Sequence, residues 1–219
     1  MTAFPIILSA PSGGGKTTIA KELLRIRKDL GYSVSCTTRN PRPGEIQGKD
    51  YYFISRSEFL TKRERGEFAE SAEVHGNLYG TLRSEVSKVL ASGHHVLMDI
   101  DVQGAAQFTK VFPQSVTIFI LPPSADVLLE RLRMRMTEAQ HQLADRLQSA
   151  LQELQSVDEY EYVVVNDELD QAIARIGSII DAEVSSRERV VGLRTQVALL
   201  IEQLEAEIGS RTHGEGSKK

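Results

Sequence analysis

Residues 10–18 read Ala-Pro-Ser-Gly-Gly-Gly-Lys-Thr-Thr, behind the apolar run Pro5-Ile6-Ile7-Leu8 and ahead of IAKELLRIRKDL at 19–30. A strand, a glycine-rich turn and a helix start, in that order, form the context of a phosphate-binding loop. Gly13, Gly14 and Gly15 let the backbone curl with its N–H groups turned inward on an anion. A helix starting near Lys16 adds the positive end of its dipole. Lys16 is placed to reach β- and γ-phosphates, and the hydroxyl of Thr17 to ligate Mg²⁺. Ala10 departs from the usual pattern, which has glycine at that first position. A small residue there still permits the turn. Against a glycine-rich turn that binds nothing stand the Lys-Thr ending and the flanking elements.

A P-loop indicates a nucleotide and leaves the reaction open. The chain has 219 residues, 41% apolar and 26% charged, which suits one large domain or a core with inserted lobes. No signal peptide and no apolar run of membrane-spanning length is legible, so a cytoplasmic protein without membrane contact is expected. The single cysteine excludes an intramolecular disulfide. A net charge of −4 supplies no global basic field for nucleic acid. His94 and His95 are adjacent, so on a strand one faces the core and the other the surface, which is no metal pair.

Apolar runs alternate with helical patterns along the chain. Strands are expected at 5–9, 32–36, 95–100, 115–121 and 162–165. Helices are expected at 16–29, 83–92, 124–134, 138–156 and from about 169 onward. This alternation predicts an α/β fold with a parallel, doubly wound sheet. Two stretches interrupt it. Residues 37–81 are rich in Gly, Pro, Tyr and charge, with strand-like pieces near 50–54 and 68–73, and read as an inserted mixed α/β lobe. Residues 134–146 are polar and basic and read as a lid, with Thr137 and Gln140 forming a capping box. The core then comprises 1–36, 82–133 and 147–186, followed by a helical extension at 187–208 and a disordered tail at 209–219.

The second informative stretch is SVSCTTRNPRPGEIQGKDYYF at 33–53. Pro41 and Pro43 hold Arg39 and Arg42 on a stiff, extended backbone. Two guanidiniums so placed suit bidentate contact with a phosphate. Tyr51, and Tyr79 within GNLYGT, offer hydroxyl donors. The alternative is a proline-stiffened surface loop with solvated arginines. A second phosphate site apart from the P-loop suggests transfer between two nucleotides.

At this point the chain resembles the guanylate kinases. The matching pieces are SAPSGGGKT, SVSCTTRNPRPGEIQGKDYYF, FAESAEV with HGNLYGT, HVLMDIDVQGA, the arginines of ERLRMR and DRL, and YVVVND. They are collinear and cover roughly residues 4–185. The resemblance implies transfer of the γ-phosphoryl of ATP to GMP or dGMP, with Mg²⁺. It implies that Ala10, Pro11, Ser12, Gly13, Gly14, Gly15, Lys16, Thr17 and Thr18 hold ATP, joined by Arg131 and Arg135. It implies that Arg39, Arg42, Tyr51 and Tyr79 hold the GMP phosphate, while Ser35, Glu70, Thr81 and Asp101 read the guanine.

The chemistry of that last group is also legible in the residue types. Guanine presents N1–H and the N2 amino group as donors, and an ionised carboxylate such as Glu70 accepts both side by side. Hydroxyls of Ser35 and Thr81 donate to O6. Adenine would meet the same groups unpaired, which supports discrimination of about 10⁴-fold. Asp99 and Asp101 are two apart, so on a strand they share a face. Asp99 is assigned to the hydrated Mg²⁺ with Thr17, and Asp101 to guanine. Arg131 and Arg135 share a helix face, and the resemblance implies that they and Arg146 close over ATP. Arg133 reads as a solvated charge. Met136 stands where the family has glycine, which bears on lid hinging. The acceptor oxygen is already ionised, so catalysis is expected from alignment and charge neutralisation by Lys16, Arg42, Arg135, Arg146 and Mg²⁺. Cys36 reads as a small buried apolar residue.

Beyond residue 186 the resemblance ends. Val190, Leu193, Val197, Leu200 and Leu204 recur at spacings of three and four. Packing of this stripe on its own domain is expected, with a homodimeric coiled coil as the alternative, so the chain is a monomer or a homodimer. Two other function classes compete: a guanylate-kinase-like scaffold without catalysis, and a P-loop kinase for another acceptor. Intact Lys16, Thr17 and lid arginines oppose the first, and Glu70 with Asp101 opposes the second.

Overall fold

Ile6, Ile7 and Leu8 are fully buried, which a strand achieves only when both its faces are covered. The computed structural model describes residues 2–74, 76–134 and 141–215. Strand β1 (Pro5–Ser9) leads through the glycine turn into α1 (Lys16–Ile26), then β2 (Leu30–Tyr32). The inserted lobe follows with β3 (Cys36–Thr37), β4 (Tyr52–Phe53), α2 (Arg56–Glu64), β5 (Phe68–Val74) and β6 (Asn77–Leu82). The chain re-enters the core with α3 (Arg83–Ala91), β7 (His95–Asp99), α4 (Val102–Val111) and β8 (Val116–Leu121). Then come α5 (Ala125–Met134), α6 (His141–Gln155), β9 (Tyr162–Val165), α7 (Leu169–Val184) and α8 (Leu193–Glu215).

The core sheet has the order β2-β7-β1-β8-β9 and is parallel throughout, as the alternation of apolar runs and helices predicts. The lobe sheet is mixed, in the order β4-β3-β6-β5. One face of the core sheet buries Ile7, Val96, Met98, Ala105 and Phe108 together with Val86 and Ala69. The lobe has its own small core of Cys36, Phe59, Phe68 and Leu78. Full burial of one such large side chain contributes about 1.5–3 kcal/mol. The structure separates into Ala3–Ile179 and a second unit of Ile180–Lys219 with Met1–Thr2.

Several expectations change. The single strand expected at 32–36 is two short strands in different sheets, because the chain leaves the core at Tyr32 and enters the lobe at Cys36. The first helix stops at Ile26 instead of running to 29, since Arg27 is already extended and Arg27 ties to Asp29. The 95–100 strand ends at Asp99, and Asp101 is the N-cap of α4, accepting from the Gly104 N–H at 2.7 Å. So Asp99 and Asp101 are not two residues on one strand face. Helices α2 and α4 were not expected, although Ser55, which accepts from the Glu58 N–H, and Asp101 are ordinary capping signals. The long C-terminal helix is broken between Val184 and Leu193, and α8 continues to Glu215, into the tail expected to be disordered. His95 opens β7, is buried, and its Nδ1 accepts from the Phe4 N–H, while His94 lies just before the strand, half-buried and bonded to Ser92, so strand alternation does not decide its side.

Candidate active site

The turn after β1 is built for close backbone approach. Gly13 and Gly15 have φ of 86° and 92°, which side chains rarely adopt. A Cβ on Gly14 would lie 2.8 Å from the Cβ of Ala10 and 2.9 Å from the Pro11 carbonyl. Ala10 is therefore tolerated at the first position because its methyl packs against a glycine. The Gly14 N–H donates to the Pro11 carbonyl at 2.7 Å. From 152 residues away, Asn166 Nδ2 donates to the Gly14 carbonyl at 2.9 Å. Glu153 of α6 accepts from the Ser12 N–H at 2.7 Å. Lys16 opens α1 behind Gly15. Burial pulls its pKa down, and the carboxylates of Asp99, Asp101, Glu153 and Glu70 oppose that fall.

The strand ends converge on the same place. Thr17 Oγ1 donates to Asp99 Oδ2 at 2.9 Å, so the two residues expected at a metal do meet. A hydroxyl and a carboxylate oxygen are hard donors that suit Mg²⁺. A Cβ built on Gly104 would lie 3.1 Å from Glu70 Oε2 and 3.4 Å from Asp101 Oδ1, which places both acids at the start of α4. Thr81 donates to Glu70 Oε1 at 2.6 Å, and Ser35 and Thr81 share a hydroxyl hydrogen bond at 3.1 Å. Glu70 is 7% exposed, and burial pushes its pKa up to about 7 despite the Thr81 hydrogen bond. Ser35, Thr81, Glu70 and Asp101 thus form one polar corner, with α4 closing it.

A cleft of about 740 Å³ connects this corner to the P-loop, and Lys16, Thr17, Asp99, Asp101 and Glu70 all line it. Arg42, Tyr51 and Tyr79 line its far wall. The rings of Tyr51 and Tyr79 stand 6.0 Å apart, edge to face. Arg39 is not among the lining residues. Its guanidinium makes a bidentate pair with Glu45, at 3.0 and 2.9 Å, and lies 5.5 Å from the Tyr51 ring centroid. Glu45 also accepts from the Arg42 N–H at 2.6 Å, and the Arg39 pairing holds its carboxyl down at about 2. A loop that reads as two phosphate-binding arginines therefore holds one of them on its own carboxylate.

On the other side, Arg131 Nη2 donates to the Asn166 carbonyl at 3.4 Å, and its Nη1 is buried without a partner. That nitrogen lies 4.0 Å from where a Gly15 Cβ would be. An orphaned buried cation beside the P-loop fits an anion. Arg133 is exposed, as expected. Arg146 lies on α6, which packs on α5 through Leu128, Leu132, Leu147 and Ala150. Arg135, Met136 and the Thr137–Gln140 box, residues 135–140 of the lid segment, lie outside the described residues. Glu153 and Asn166 escaped the sequence reading. YVVVND marks Asn166 as the residue closing a core strand, but nothing local pairs it with a glycine in another element. Tyr32 also escaped it: this phenol lines the cleft, and burial raises its pKa, with Asp99 adding to the rise.

Known proteins match this chain over most of its length. The family model for guanylate kinase matches residues 2–183. A guanylate kinase of Desulfitobacterium hafniense is 49% identical over 178 residues, covering 81% of this chain and 89% of that protein. One of Thermotoga maritima is 48% identical, covering 81% and 86%. The crystal structure of guanylate kinase from Anaplasma phagocytophilum superposes with a TM-score of 0.72 at 38% identity, covering 89% of this chain and 93% of that one. A P-loop opening on a buried Ser-Thr-Glu corner, and matches of this length, make the chain a member of the guanylate kinase family.

Proposed function

We propose that this chain transfers the γ-phosphoryl of ATP to GMP, or to dGMP, releasing ADP and GDP or dGDP. The observation that carries this reading is the Ser35–Thr81–Glu70 chain beside Asp101, in one cleft with Lys16 and Thr17. Its acceptors suit the adjacent donors N1–H and N2–H₂ of guanine, and adenine lacks that pair.

The chain's own residues then divide the work. The backbone N–H groups of Gly13, Gly15, Lys16 and Thr17 and the Lys16 side chain hold the β- and γ-phosphates of ATP, and Arg131 adds its free Nη1. Arg42, Tyr51 and Tyr79 hold the GMP phosphate from the lobe side, joined by Arg39 when it exchanges Glu45 for the ligand. Arg135 and Arg146 bring charge from the lid side. The attacking phosphate oxygen is already ionised, so no general base takes part, and the barrier falls through alignment and charge neutralisation. Thr17 and Asp99 would hold hydrated Mg²⁺. Among the described residues no group of three or more His, Cys, Asp or Glu could hold a metal ion. When bound, the ion neutralises charge on the β- and γ-oxygens.

No helix among the described residues is long and apolar enough to cross a membrane, and we place this activity in the cytoplasm. A coupled ADP-release assay across GMP, dGMP, IMP, AMP, CMP and UMP tests the proposal. Turnover with GMP and dGMP far above the rest is expected. Equal turnover with AMP, or none with any acceptor, would overturn it.

A further inference from the structure

Strand β2 lies at the edge of the core sheet beside β7, and its last residue, Tyr32, pairs in parallel register with Leu97. Paired residues of neighbouring strands share a face, and so does the residue two further along. Tyr32, Leu97 and Asp99 therefore stand on one face, with Asp99 closing its strand. Helix α1 packs on both strands, and its Thr17 donates to Asp99 Oδ2 at 2.9 Å. Tyr32, Thr17 and Asp99 all line the same cleft.

The phosphoryl transfer proposed for this chain gives the Tyr32 hydroxyl no part, yet this hydroxyl is not a solvated surface group. Burial raises its pKa, and Asp99 raises it further, by its charge and by a side-chain hydrogen bond. The phenol is the donor in that bond, because an ionised carboxylate only accepts. Asp99 thus receives one hydroxyl from α1 and a second from β2. A carboxylate offers about four lone-pair sites, so two donors leave about two for a metal-bound water. Donors on two different elements also stop the carboxylate from turning. Removing partners that orient a ligand in this way commonly costs about 10- to 100-fold in metal affinity. A tyrosine that merely covered the sheet edge would have no use for its hydroxyl. Tyr32 is 38% exposed, so phenylalanine would cover the edge as well and disturb no core.

We infer that Tyr32 is a positioning residue: its hydroxyl, together with that of Thr17, sets the Asp99 carboxylate for the hydrated Mg²⁺ that accompanies ATP. The inference rests on the kinase activity proposed above and on Asp99 as the carboxylate that faces the metal.

Calorimetry with the β,γ-imido analogue of ATP, with and without Mg²⁺, tests this on Tyr32→Phe, which removes only the hydroxyl. The wild type should bind the analogue more tightly with Mg²⁺ than without. In Tyr32→Phe that advantage should shrink about tenfold, while the metal-free analogue and GMP bind as they do to the wild type. Turnover of the variant should need about tenfold more Mg²⁺ for half-activation. Asp99→Asn should remove the Mg²⁺ advantage. Adding Tyr32→Phe to Asp99→Asn should cost nothing more, since the hydroxyl acts only through that carboxylate. An unchanged Mg²⁺ advantage in Tyr32→Phe overturns the inference and leaves the kinase activity standing. Weaker GMP binding with the Mg²⁺ advantage intact overturns it too, by putting the phenol on the acceptor. A further loss in the double variant would show Tyr32 acting apart from Asp99, which also overturns it. A wild type that does not bind the analogue, with or without Mg²⁺, would overturn the kinase activity and the inference together.

Discussion

Around the P-loop, main-chain N–H donors stand beside Lys16 and Arg131 for an anion, whereas on the lobe side the groups are all side chains on an exposed loop. The first set is held by backbone geometry at Gly13 and Gly15, by the Asn166 bond to Gly14, and by Glu153 on Ser12. The second is held by a carboxylate, Glu45, that already occupies Arg39. The P-loop is therefore organised before ligand arrives, and the lobe must exchange an internal ion pair for an external one. Preorganisation lowers the ordering cost of binding. An exchange makes binding depend on what is released. Glu70 stands between these extremes: it is held by a hydroxyl, but burial favours its neutral form.

The contrast predicts the largest loss on the P-loop side. Lys16→Ala should lower kcat by about 10³-fold or more, because its charge acts on the transferring phosphoryl. KM for GMP should change little. Near-normal turnover in the purified variant would show that the P-loop does not carry the reaction.

Glu70→Gln comes next. One oxygen acceptor becomes an amide donor facing guanine donors, so KM for GMP should rise about 10- to 100-fold. The same site predicts a pH dependence. With its pKa pushed up to about 7, Glu70 is ionised above that value and neutral below it. The ionised form accepts from guanine, so KM for GMP should rise as pH falls below about 7. Ligand-free stability should move oppositely. The folded pKa lies above the unfolded 4.5, so this group destabilises the fold above pH 7 and ceases to do so as pH falls toward 4.5. Glu70→Gln should therefore raise the melting temperature of the ligand-free protein at pH 8. Kinetics that are flat across this pH range would place the guanine reader elsewhere.

Glu153 tests how far the P-loop depends on support from a distant element. Glu153→Ala leaves the Ser12 N–H without its acceptor, and KM for ATP should rise about tenfold while KM for GMP stays constant. Glu153→Gln keeps an acceptor and should recover most of the loss. If alanine and glutamine behave alike, the hydrogen bond is not what matters.

The smallest effect is expected at Glu45. Glu45→Gln keeps an acceptor for the Arg42 N–H and weakens the hold on Arg39. KM for GMP should fall by about two- to threefold, in line with a partly buried pair that a ligand can displace. A rise would mean that Glu45 shapes the loop more than it competes with the ligand.

Much of this site was legible because its parts are local. Residues 10–18 and 33–53 carry their own backbone constraints, glycines in one case and prolines in the other. The misreadings share a cause. A strand at 32–36 satisfies the apolar pattern, yet Tyr32 pairs with Leu97 in one sheet and Cys36 with Tyr52 in another. Asp101 fits the end of a strand equally well as the cap of α4, and only the missed helix distinguishes them.

By itself, then, the sequence determined the phosphate loop, the alternation that makes a parallel sheet, the inserted lobe and the burial of Cys36. These follow from dihedral preferences and periodicities that act over a few residues. Tertiary structure alone decided that Glu153 reaches Ser12 across 141 residues, that Asn166 reaches Gly14 across 152, and that Arg39 rests on Glu45. It also left Val197, Leu200, Ile201, Leu204 and Ile208 of α8 exposed. The periodicity of a helix says which residues share a face, and only the folded chain decides what that face meets.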